Sequence, residues 1–306
     1  MAVMLRLMDD IRQLVREVRR GRTGVSGESV RGEVPEREPG ELRVMTFNVR
    51  GALHPDGLNA WRRRAALSVE VIRRWKPDLI GFQEFQRGNE RTYARELSGY
   101  ARELGPKYQN RMPYAYNAVL WDPERVELVK SDGFWLSETP EKFSGAWGTR
   151  QVRSANLLRL RLAGTDREFL HLNTHLDHRS VPARQNGARL IVDRLEKLRD
   201  VPAVVTGDFN AEPGRLVYRT FEEAGFADTH VLCGAGRQKT FHRFEGERFA
   251  RGSGREFRMD WVLVRGGSGG SWKALGAEVV PDCDPPVFPS DHYPVVARLR
   301  LVGSGE

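Results

Sequence analysis

Short apolar runs of this 306-residue chain repeatedly end in, or begin beside, side chains that can do chemistry. These side chains are all Asn, Asp, Glu or His, and they are Asn48, Glu84, His175, Asp177, Asp208, Asn210, Asp260, Asp291 and His292. Ligands and catalytic groups collect where a rigid strand hands over to a loop. A turn or a cap explains one polar strand end, but six ends of the same residue types indicate a shared site.

The donor atoms in this set favour metal-assisted phosphate chemistry. Carboxylate and amide oxygens are hard ligands that suit Mg²⁺ or Mn²⁺ better than zinc, and histidines beside carboxylates can donate to a phosphoryl oxygen. Asp208 and Asn210 are two positions apart, so both side chains leave the same face if the strand continues through them. Neither GxSxG nor a Walker A motif is present. The residues therefore predict hydrolysis of a phosphate ester by in-line attack of water.

Strand-like and helix-like patterns alternate from residue 41 onwards, and these elements must position the chemical side chains. Helical spacing predicts helices over residues 59–75 and 181–199, with Ser180 as the N-cap of the second. Residues 164–166 are typical of a hairpin turn between two strands. Strands outnumber helices and hairpins are frequent, which predicts an α/β fold of two sheets packed together with helices outside, rather than a doubly wound parallel sheet.

Composition divides the chain into three parts. Leu7 and Ile11 begin a helical spacing that predicts an N-terminal amphipathic helix in residues 1–20. Residues 21–40 are rich in Gly, Ser, Glu, Arg and Pro, which predicts a flexible linker before a catalytic domain over residues 41–306. A basic amphipathic helix can lie on a membrane or on a partner, although it more often packs on its own domain. We expect this helix to be dispensable for hydrolysis.

Charge and cysteine usage limit the partner and the compartment only loosely. The net charge of +8 fits a polyanionic substrate, but Arg-rich codon usage would produce the same excess. No run approaches about 18 consecutive apolar residues, so no transmembrane segment is predicted. Cys233 and Cys283 have no zinc spacing and argue against a disulfide framework. Charges break the N-terminal apolar run, which lacks a signal-peptide core, so we expect a cytoplasmic protein.

Six motifs in a fixed order carry a family resemblance. They are TFNVRG, GFQE, NTHLDH, GDFNAEP, RMDWVLV and SDHYPV. Over about residues 41–301 this order resembles the endonuclease/exonuclease/phosphatase superfamily, the deoxyribonuclease I-like fold, and the runs FWLSETP and TFHRF agree with its small bacterial members. The resemblance implies a four-layered α/β sandwich with two packed mixed β-sheets flanked by helices. It also implies a phosphohydrolase that depends on Mg²⁺ or Mn²⁺.

The resemblance implies a metal site at one group of positions. Glu84 corresponds to the principal metal ligand, and Asn48 lies beside it. Asp291 would bind a metal or support the site. Whether one metal ion or two are used stays open.

The resemblance implies catalytic roles at a second group of positions. Asp208 corresponds to the residue that activates the water or assists the leaving group, and Asn210 to its phosphate-holding partner. His175 and His292 correspond to phosphate-contacting histidines. Asp260 corresponds to the carboxylate that orients His292.

The chain departs from the family pattern at one position. Related sequences often have a Glu-Tyr pair where this chain has Ala115 and Tyr116, so the glutamate that would hold His175 is missing. Asp177 is a candidate to replace it, and Tyr116, Arg153 and Asp177 are candidates to contact the substrate. A surface strand arginine is the alternative interpretation of Arg153.

The function predicted first is a metal-dependent phosphodiesterase or nuclease, because the basic charge favours a phosphate-rich substrate such as nucleic acid. A phosphomonoesterase or a phospholipid phosphodiesterase is the alternative within enzymes. A non-catalytic scaffold that binds phosphate or protein is the alternative outside them, and the presence of Glu84, Asp208 and His292 argues against it. No partner protein is predicted.

Overall fold

The computed structural model of the chain describes residues 28–106, 115–236 and 238–303. Within these residues twelve strands form two six-stranded sheets, accompanied by five α-helices. The strands are β1 (Leu42–Asn48), β2 (Leu79–Gln83), β3 (Ala101–Glu103), β4 (Val119–Trp121), β5 (Val126–Trp135), β6 (Ser154–Leu162), β7 (Glu168–His175), β8 (Ala203–Asp208), β9 (Ala227–Asp228), β10 (Asp260–Arg265), β11 (Ser271–Val279) and β12 (Val295–Val302). The helices are α1 (Trp61–Trp75), α2 (Arg87–Glu96), α3 (Val181–Glu196), α4 (Leu216–Glu223) and α5 (Thr229–Leu232). The helix predicted in residues 1–20 lies outside the described residues.

Both sheets are mixed, as the family resemblance implies. The first sheet has the order β11-β12-β1-β2-β4-β3, and its parallel pair is β1 with β2. The second sheet has the order β5-β6-β7-β8-β10-β9, and its parallel pair is β7 with β8. All other neighbouring strands in the two sheets run antiparallel. None of the helices among the described residues is long and apolar enough to cross a membrane.

Three apolar clusters show that the molecule has four layers. One cluster joins α1 and α2 to the outer face of the first sheet, and includes Ile72 and Tyr93. A second joins α3 and α4 to the outer face of the second sheet, and includes Ile191 and Phe221. The third fills the space between the two sheets. The predicted order of helix, sheet, sheet and helix is therefore confirmed.

The local signals for the two long helices are also confirmed. Helices predicted over residues 59–75 and 181–199 are α1 and α3, with bounds that differ by a few residues. Ser180 caps α3, because its side-chain oxygen accepts a hydrogen bond from the backbone N–H of Ala183. Lys76 ends α1 in the left-handed conformation, directly before Pro77.

A buried amide joins the two sheets behind the strand ends. The side-chain nitrogen of Asn173, on β7, donates to the backbone oxygens of Phe82 (2.7 Å) and Ala118 (3.0 Å). Its side-chain oxygen accepts from Gln83 (2.7 Å) and Thr206 (3.1 Å). Asn173 is fully buried, where water cannot supply hydrogen bonds, so these four bonds satisfy its side-chain amide. The amide therefore fixes the position of one sheet relative to the other.

Residues 28–40 differ from a free linker, because they are bonded to the domain. Val30 pairs with Cys283 in an isolated bridge, and the backbone N–H of Gly32 donates to Asp282 at 2.7 Å. Arg37 donates to the buried carboxylate of Asp78 at 2.6 Å. The sequence composition suggested flexibility, but it could not reveal that buried carboxylates on the domain bind this segment. The proposed domain boundary at residue 41 stays a prediction.

Replacing Asn173 with alanine is expected to lower the free energy of unfolding by about 3 kcal/mol, because a buried group left without its partner costs about 1–3 kcal/mol. Asn186→Ala is the matched control, since Asn186 is half-buried on α3 and, among the described residues, its side chain bonds to Arg189 alone. Its effect should stay within about 0.5 kcal/mol. Urea denaturation of both variants measures the difference, and equal stabilities would contradict the role given to Asn173.

A chain that begins at Glu41 is expected to be less stable than one that begins at Glu28, by about 2 kcal/mol. The longer chain keeps the bonds to Asp78 and Asp282, and removing a partner from a buried carboxylate is costly. Denaturant midpoints of the two truncated chains test this. Identical midpoints would mean that residues 28–40 contribute no stability.

Candidate active site

The predicted site residues converge at one edge of the sandwich, with contributions from both sheets. Asn48 ends β1 and Glu84 directly follows β2, which is parallel to β1 in the first sheet. In the second sheet His175 pairs with Asp208 on the parallel strand β8, and Asp208 pairs with Asp260 on the antiparallel strand β10. Every second side chain of a strand lies on the same face, so Asn48, His175, Asp208 and Asp260 continue the inward faces of their strands. Glu84 lies past the end of β2, in a turn with a φ of 55°. The strand order therefore brings together candidate site residues that are far apart in the sequence.

Asn48 bridges the two sheets within the site. Its side-chain nitrogen donates to Glu84 Oε1 at 3.3 Å and to Asp208 Oδ2 at 3.0 Å. Its side-chain oxygen accepts from the backbone N–H of Arg50 at 3.0 Å. Ser290, beside the segment that carries Asp291, donates to the backbone oxygen of Asn48 at 2.6 Å. Asn48 is therefore held on every side, and it fixes the distance between the carboxylates of Glu84 and Asp208.

Arg64 holds together the loops around the end of β1. Its guanidinium is fully buried and donates to the backbone oxygens of Val49 (2.6 Å), Asn59 (2.8 Å) and Pro289 (3.0 Å). It also donates to the backbone oxygen of Arg50. One side chain thus connects the loop after β1 to the segment before β12, which carries Asp291 and His292 into the site. Arg64 acts as a positioning residue.

Glu84 occupies a strained backbone position and carries a negative charge. Its φ is 55°, in the left-handed region that residues other than glycine rarely adopt. Its carboxylate accepts from His54 Nε2 at 2.9 Å. Burial by itself raises the pKa of Glu84, but the hydrogen bond from His54 and the charge of Arg50 help to hold the pKa well below its usual range.

His54 and Arg50 were missed by the sequence analysis, although both surround the site. Arg50 binds Asp56 through two nitrogens, at 2.9 and 3.1 Å, and lies 3.8 Å from Asp291 Oδ2. The available signal was the loop RGALHPD, which follows the first chemical strand end and holds one arginine, one histidine and one aspartate. Candidate residues were selected at the ends of strands, so residues further along the loop after β1 were not considered.

His292 is protonated because three carboxylates surround it. Its Nδ1 lies 2.9 Å from Asp260 Oδ2, and its Nε2 lies 3.8 Å from Asp208 Oδ2. Burial opposes protonation, but the charges of Asp260, Asp208 and Asp291 and the hydrogen bond to Asp260 outweigh it and raise the pKa of His292 to about 10. The imidazolium is therefore a hydrogen-bond donor at neutral pH.

His175 is neutral, in contrast to His292. Its Nε2 lies 3.4 Å from Asp208 Oδ2, and the side chain is buried. Burial and the charge of Arg153 hold the pKa of His175 well below its usual range, although Glu84 acts in the other direction. The two histidines of the site thus differ in charge at pH 7, with one neutral and one positive.

Asp208 lies between these histidines and titrates near neutrality. Burial and the charge of Asp260 raise its pKa, while His292 and the bonds from Asn48 and Asn210 lower it, with a net pKa of about 7. A carboxylate with this pKa can accept a proton near pH 7, as a general base must.

Asn210 does not share a strand face with Asp208, so that part of the prediction is wrong. Strand β8 ends at Asp208, and Asn210 has a φ of 48°. Its backbone N–H donates to Asp208 Oδ1 at 2.9 Å, which closes an Asx turn. Its side-chain nitrogen donates to the backbone oxygen of Leu176 at 3.0 Å. Asn210 therefore lies beside Asp208 through a turn, and its phosphate-holding role stays a prediction.

Asp177 does not hold His175 in place of the missing glutamate. Asp177 Oδ1 accepts from the backbone N–H groups of Arg179 (2.8 Å) and Ser180 (2.6 Å), and Oδ2 accepts from Thr149 at 2.5 Å. These bonds fix the loop that leads into α3. Among the described residues His175 instead lies against Asp208, with 3.4 Å between His175 Nε2 and Asp208 Oδ2.

Tyr116 also has a mainly structural position. Its backbone N–H and C=O pair with Phe85, at 2.8 and 3.1 Å, which holds the strained turn at Glu84. Its side chain is buried in the apolar cluster beneath α1 and α2. This placement does not support the prediction that Tyr116 contacts the substrate.

Arg153 supplies positive charge that no carboxylate neutralises by direct contact in the described part of the chain. It precedes β6 and feels the charges of Glu84, Asp208 and Asp177. Its Nη2 lies 3.3 Å from His178 Nδ1, and its buried Nε has no hydrogen-bond partner. Burial lowers the pKa of Arg153, but a guanidinium keeps its proton in proteins. A phosphate oxygen would satisfy the unpartnered nitrogen.

Asp291 lies at the edge of the site nearest Arg50. Its Oδ1 accepts from Ser290 at 3.3 Å. Burial and the charge of Glu84 raise the pKa of Asp291, while His292, Arg50 and Arg64 oppose this. Its predicted role as a metal ligand or support stays a prediction.

A family model described as the Endonuclease/Exonuclease/phosphatase family matches residues 45–292. The match spans most of the chain and contains all the predicted site residues. This chain belongs to the endonuclease/exonuclease/phosphatase family. Its members hydrolyse phosphate esters.

Two curated relatives show the range of similarity. Human Nocturnin (Homo sapiens) is 28% identical over 217 residues, which cover 63% of this chain and 48% of Nocturnin. Uncharacterized protein L388 of Acanthamoeba polyphaga mimivirus is 24% identical over 207 residues, which cover 60% of this chain and 72% of L388. The matched part thus spans about half the length of human Nocturnin.

Solved structures resemble the whole sandwich. A mannosyl-6-phosphatase of Bacteroides thetaiotaomicron has a TM-score of 0.76 at 26% identity, over 85% of this chain and 99% of that chain. D. rerio TDP2 complexed with a single-strand DNA product has a TM-score of 0.66 at 13% identity, over 85% of this chain and 99% of that chain. The second likeness supports the fold alone.

A divalent cation fits the residues of this family member, and two groups could hold it. Atoms of Asp208, Asp260 and His292 lie within 4.8 Å of one another. However, His292 is protonated and bonded to Asp260, so a cation there would have to displace a proton held with a pKa of about 10. Glu84 is ionised and offers the carboxylate oxygens that Mg²⁺ and Mn²⁺ prefer. Asn48 lies beside it, with its side-chain nitrogen bonded to Glu84 and its oxygen bonded to Arg50, so the amide would have to turn its oxygen towards a bound cation.

The protonation of His292 should appear in the pH dependence of stability. Its pKa is raised from 6.5 to about 10 by folding, so the stabilisation is fully present below about pH 6.5 and is lost as the pH rises through about 10. His292→Gln cannot titrate and should lose less free energy of unfolding between pH 7 and pH 10 than the natural chain. Urea denaturation at both pH values measures this. His178→Gln is the control, because burial lowers the pKa of His178 instead. Equal losses in the natural chain and His292→Gln would contradict the assignment.

Proposed function

We propose that this chain is a divalent-metal-dependent hydrolase of phosphodiesters. The observation that carries the proposal is the arrangement around Asp208. A carboxylate with a pKa of about 7 lies between a protonated histidine, His292, and a neutral one, His175. Opposite them Asn48 connects Asp208 to the ionised Glu84. This combination provides a proton acceptor, a proton donor and a cation site within one buried edge.

The residues of the chain have separate tasks in the proposed reaction. Asp208 accepts a proton from the attacking water, whose oxygen forms the new bond to phosphorus while the bond to the leaving oxygen breaks. The leaving oxygen departs with the electron pair of that bond and takes up a proton from solvent. His292, kept charged and oriented by Asp260, donates a hydrogen bond to a phosphoryl oxygen. Arg153 offers its unpartnered nitrogen to the same group, which gains negative charge in the transition state.

Mg²⁺ or Mn²⁺ is the proposed cofactor, with Glu84 and Asn48 as the residues that would hold it and Asp291 beside them. A bound divalent cation supplies electrostatic stabilisation of the charge that develops on phosphoryl and leaving oxygens. Glu84 suits this task because its low pKa keeps it ionised. His54 donates to the same carboxylate and holds it in one orientation.

A diester is proposed first because arginines lie in and beside the site and the chain has a net charge of +8. Arg153 lies within the site, and further arginines line the adjacent surface. Such a surface attracts a substrate that carries more than one phosphate, with nucleic acid as one such substrate.

The cytoplasm remains the proposed compartment.

Hydrolysis of a sugar phosphate monoester is the second candidate. The similarity to the mannosyl-6-phosphatase of Bacteroides thetaiotaomicron, at 26% identity over 85% of this chain, favours it. The same proton donor, acceptor and cation site can serve a monoester, so the distinction depends on the substrate-binding surface.

A panel of substrates separates the two candidates. Bis-p-nitrophenyl phosphate, p-nitrophenyl phosphate, mannose 6-phosphate, single- and double-stranded DNA, and RNA would each be tested with Mg²⁺, with Mn²⁺ and with EDTA. We expect cation-dependent hydrolysis of diesters, and a loss of about a hundredfold or more in kcat for Glu84→Gln, since charge stabilisation at a cation site is worth several kcal/mol. Glu124→Gln, in an exposed turn, is the matched control. Faster turnover of mannose 6-phosphate would support the monoester candidate, and hydrolysis unaffected by EDTA would contradict both.

A further inference from the structure

A cavity of about 400 Å³ opens beside the active site, and its wall contains Asn210. It lies between the start of α3, the segment that leads from β8 into α4, and residues 255–259. Its volume falls within the range of about 300–1,000 Å³ that is typical of small-molecule sites. Because Asn210 donates its backbone N–H to Asp208, a group in this cavity would be close to a phosphate bound at Asp208.

Three arginines line this cavity, and one carboxylate faces them. Arg255 donates to Glu212 at 3.0 Å and stacks on Phe257, so its charge is compensated. Arg184 donates a hydrogen bond from one nitrogen to the backbone oxygen of Asp177 at 2.7 Å, which orients the guanidinium, and the Asp177 carboxylate acts on its charge without a direct ion pair. Arg215 has no side-chain hydrogen bond or ion pair among the described residues. Among the described residues neither Arg184 nor the exposed Arg215 forms an ion pair with a carboxylate, so both can bind an anion in the cavity.

We infer that this cavity binds a second phosphate group of the substrate, next to the phosphate that is hydrolysed. Guanidinium groups match phosphate oxygens in geometry and charge. Gln185 adds an amide to the same wall. This inference rests on the proposed function, since it assumes that the scissile phosphate lies at Asp208. The second phosphate could be the neighbouring one of a nucleic acid strand or a terminal one on a small molecule.

The test compares two ligands that differ by one phosphate, thymidine 5′-phosphate and thymidine 3′,5′-bisphosphate. Isothermal titration calorimetry would measure their binding in an Asp208→Asn background with Mg²⁺, so that the result does not depend on turnover. We expect the second phosphate to tighten binding about tenfold, which is the lower end of the contribution of a charged hydrogen bond. Arg215→Ala should remove this gain and leave the binding of thymidine 5′-phosphate unchanged.

Arg219→Ala is the matched control, because Arg219 is an exposed arginine of α4, the helix that Arg215 directly precedes, and is not part of the cavity wall. It should preserve the tenfold gain. The dinucleotide pdTpdT distinguishes the two sources, and both of its outcomes support the cavity. A gain equal to that of the bisphosphate indicates a strand, and a gain confined to the bisphosphate indicates a small molecule.

Two results would overturn the inference. The first is equal binding of the two thymidine ligands by the Asp208→Asn protein, and the second is a gain that survives in Arg215→Ala. Failure of the proposed function has a different signature, namely no cation-dependent hydrolysis by the natural chain, and it leaves the binding comparison readable.

Discussion

The buried amide of Asn173 is the constraint on which the active site depends, because each sheet carries only half of the site. Gly81 allows the sheets to approach at this point, since a Cβ atom there would lie 2.2 Å from Thr206 Oγ1 and 2.6 Å from Asn173 Oδ1. The close approach lets Asn48 on one sheet reach Asp208 on the other at 3.0 Å. Spacing between the sheets therefore sets the distances between catalytic groups.

Protonation states in the site follow from where each histidine lies between the sheets. His292 faces three carboxylates and is charged, whereas His175 lies beside Arg153 and is neutral. Asp208 interacts with both, and burial raises its pKa close to neutrality. One buried edge thus keeps a donor and an acceptor of protons in different states at the same pH, which is the arrangement that acid–base chemistry requires.

The residues at the centre of the site and the surface around it determine different properties, the type of reaction and the choice of substrate. The core of Glu84, Asn48, Asp208 and His292 suits phosphate esters in general, and structures with this fold include a mannosyl-6-phosphatase and a protein complexed with single-strand DNA product. Selection among esters must therefore come from the surrounding segments. In this chain the segment after β8 contributes Arg215 and an arginine-lined cavity directly beside the core.

The sequence by itself predicted most of the strands, the two long helices α1 and α3 and the sandwich architecture, because alternation along strands and helical spacing are local patterns. It did not predict α2, α4 or α5. The strand ends that it named as a shared site lie together at one edge of the sandwich. The sequence could not determine contacts between distant segments. Asn48 and Asp208 are 160 residues apart, so their bond depends on sheet packing. The same holds for His54 against Glu84, and for the turn that takes Asn210 off the strand. Only the tertiary structure decided the charge states, because burial and neighbouring charges set a pKa and both arise from packing.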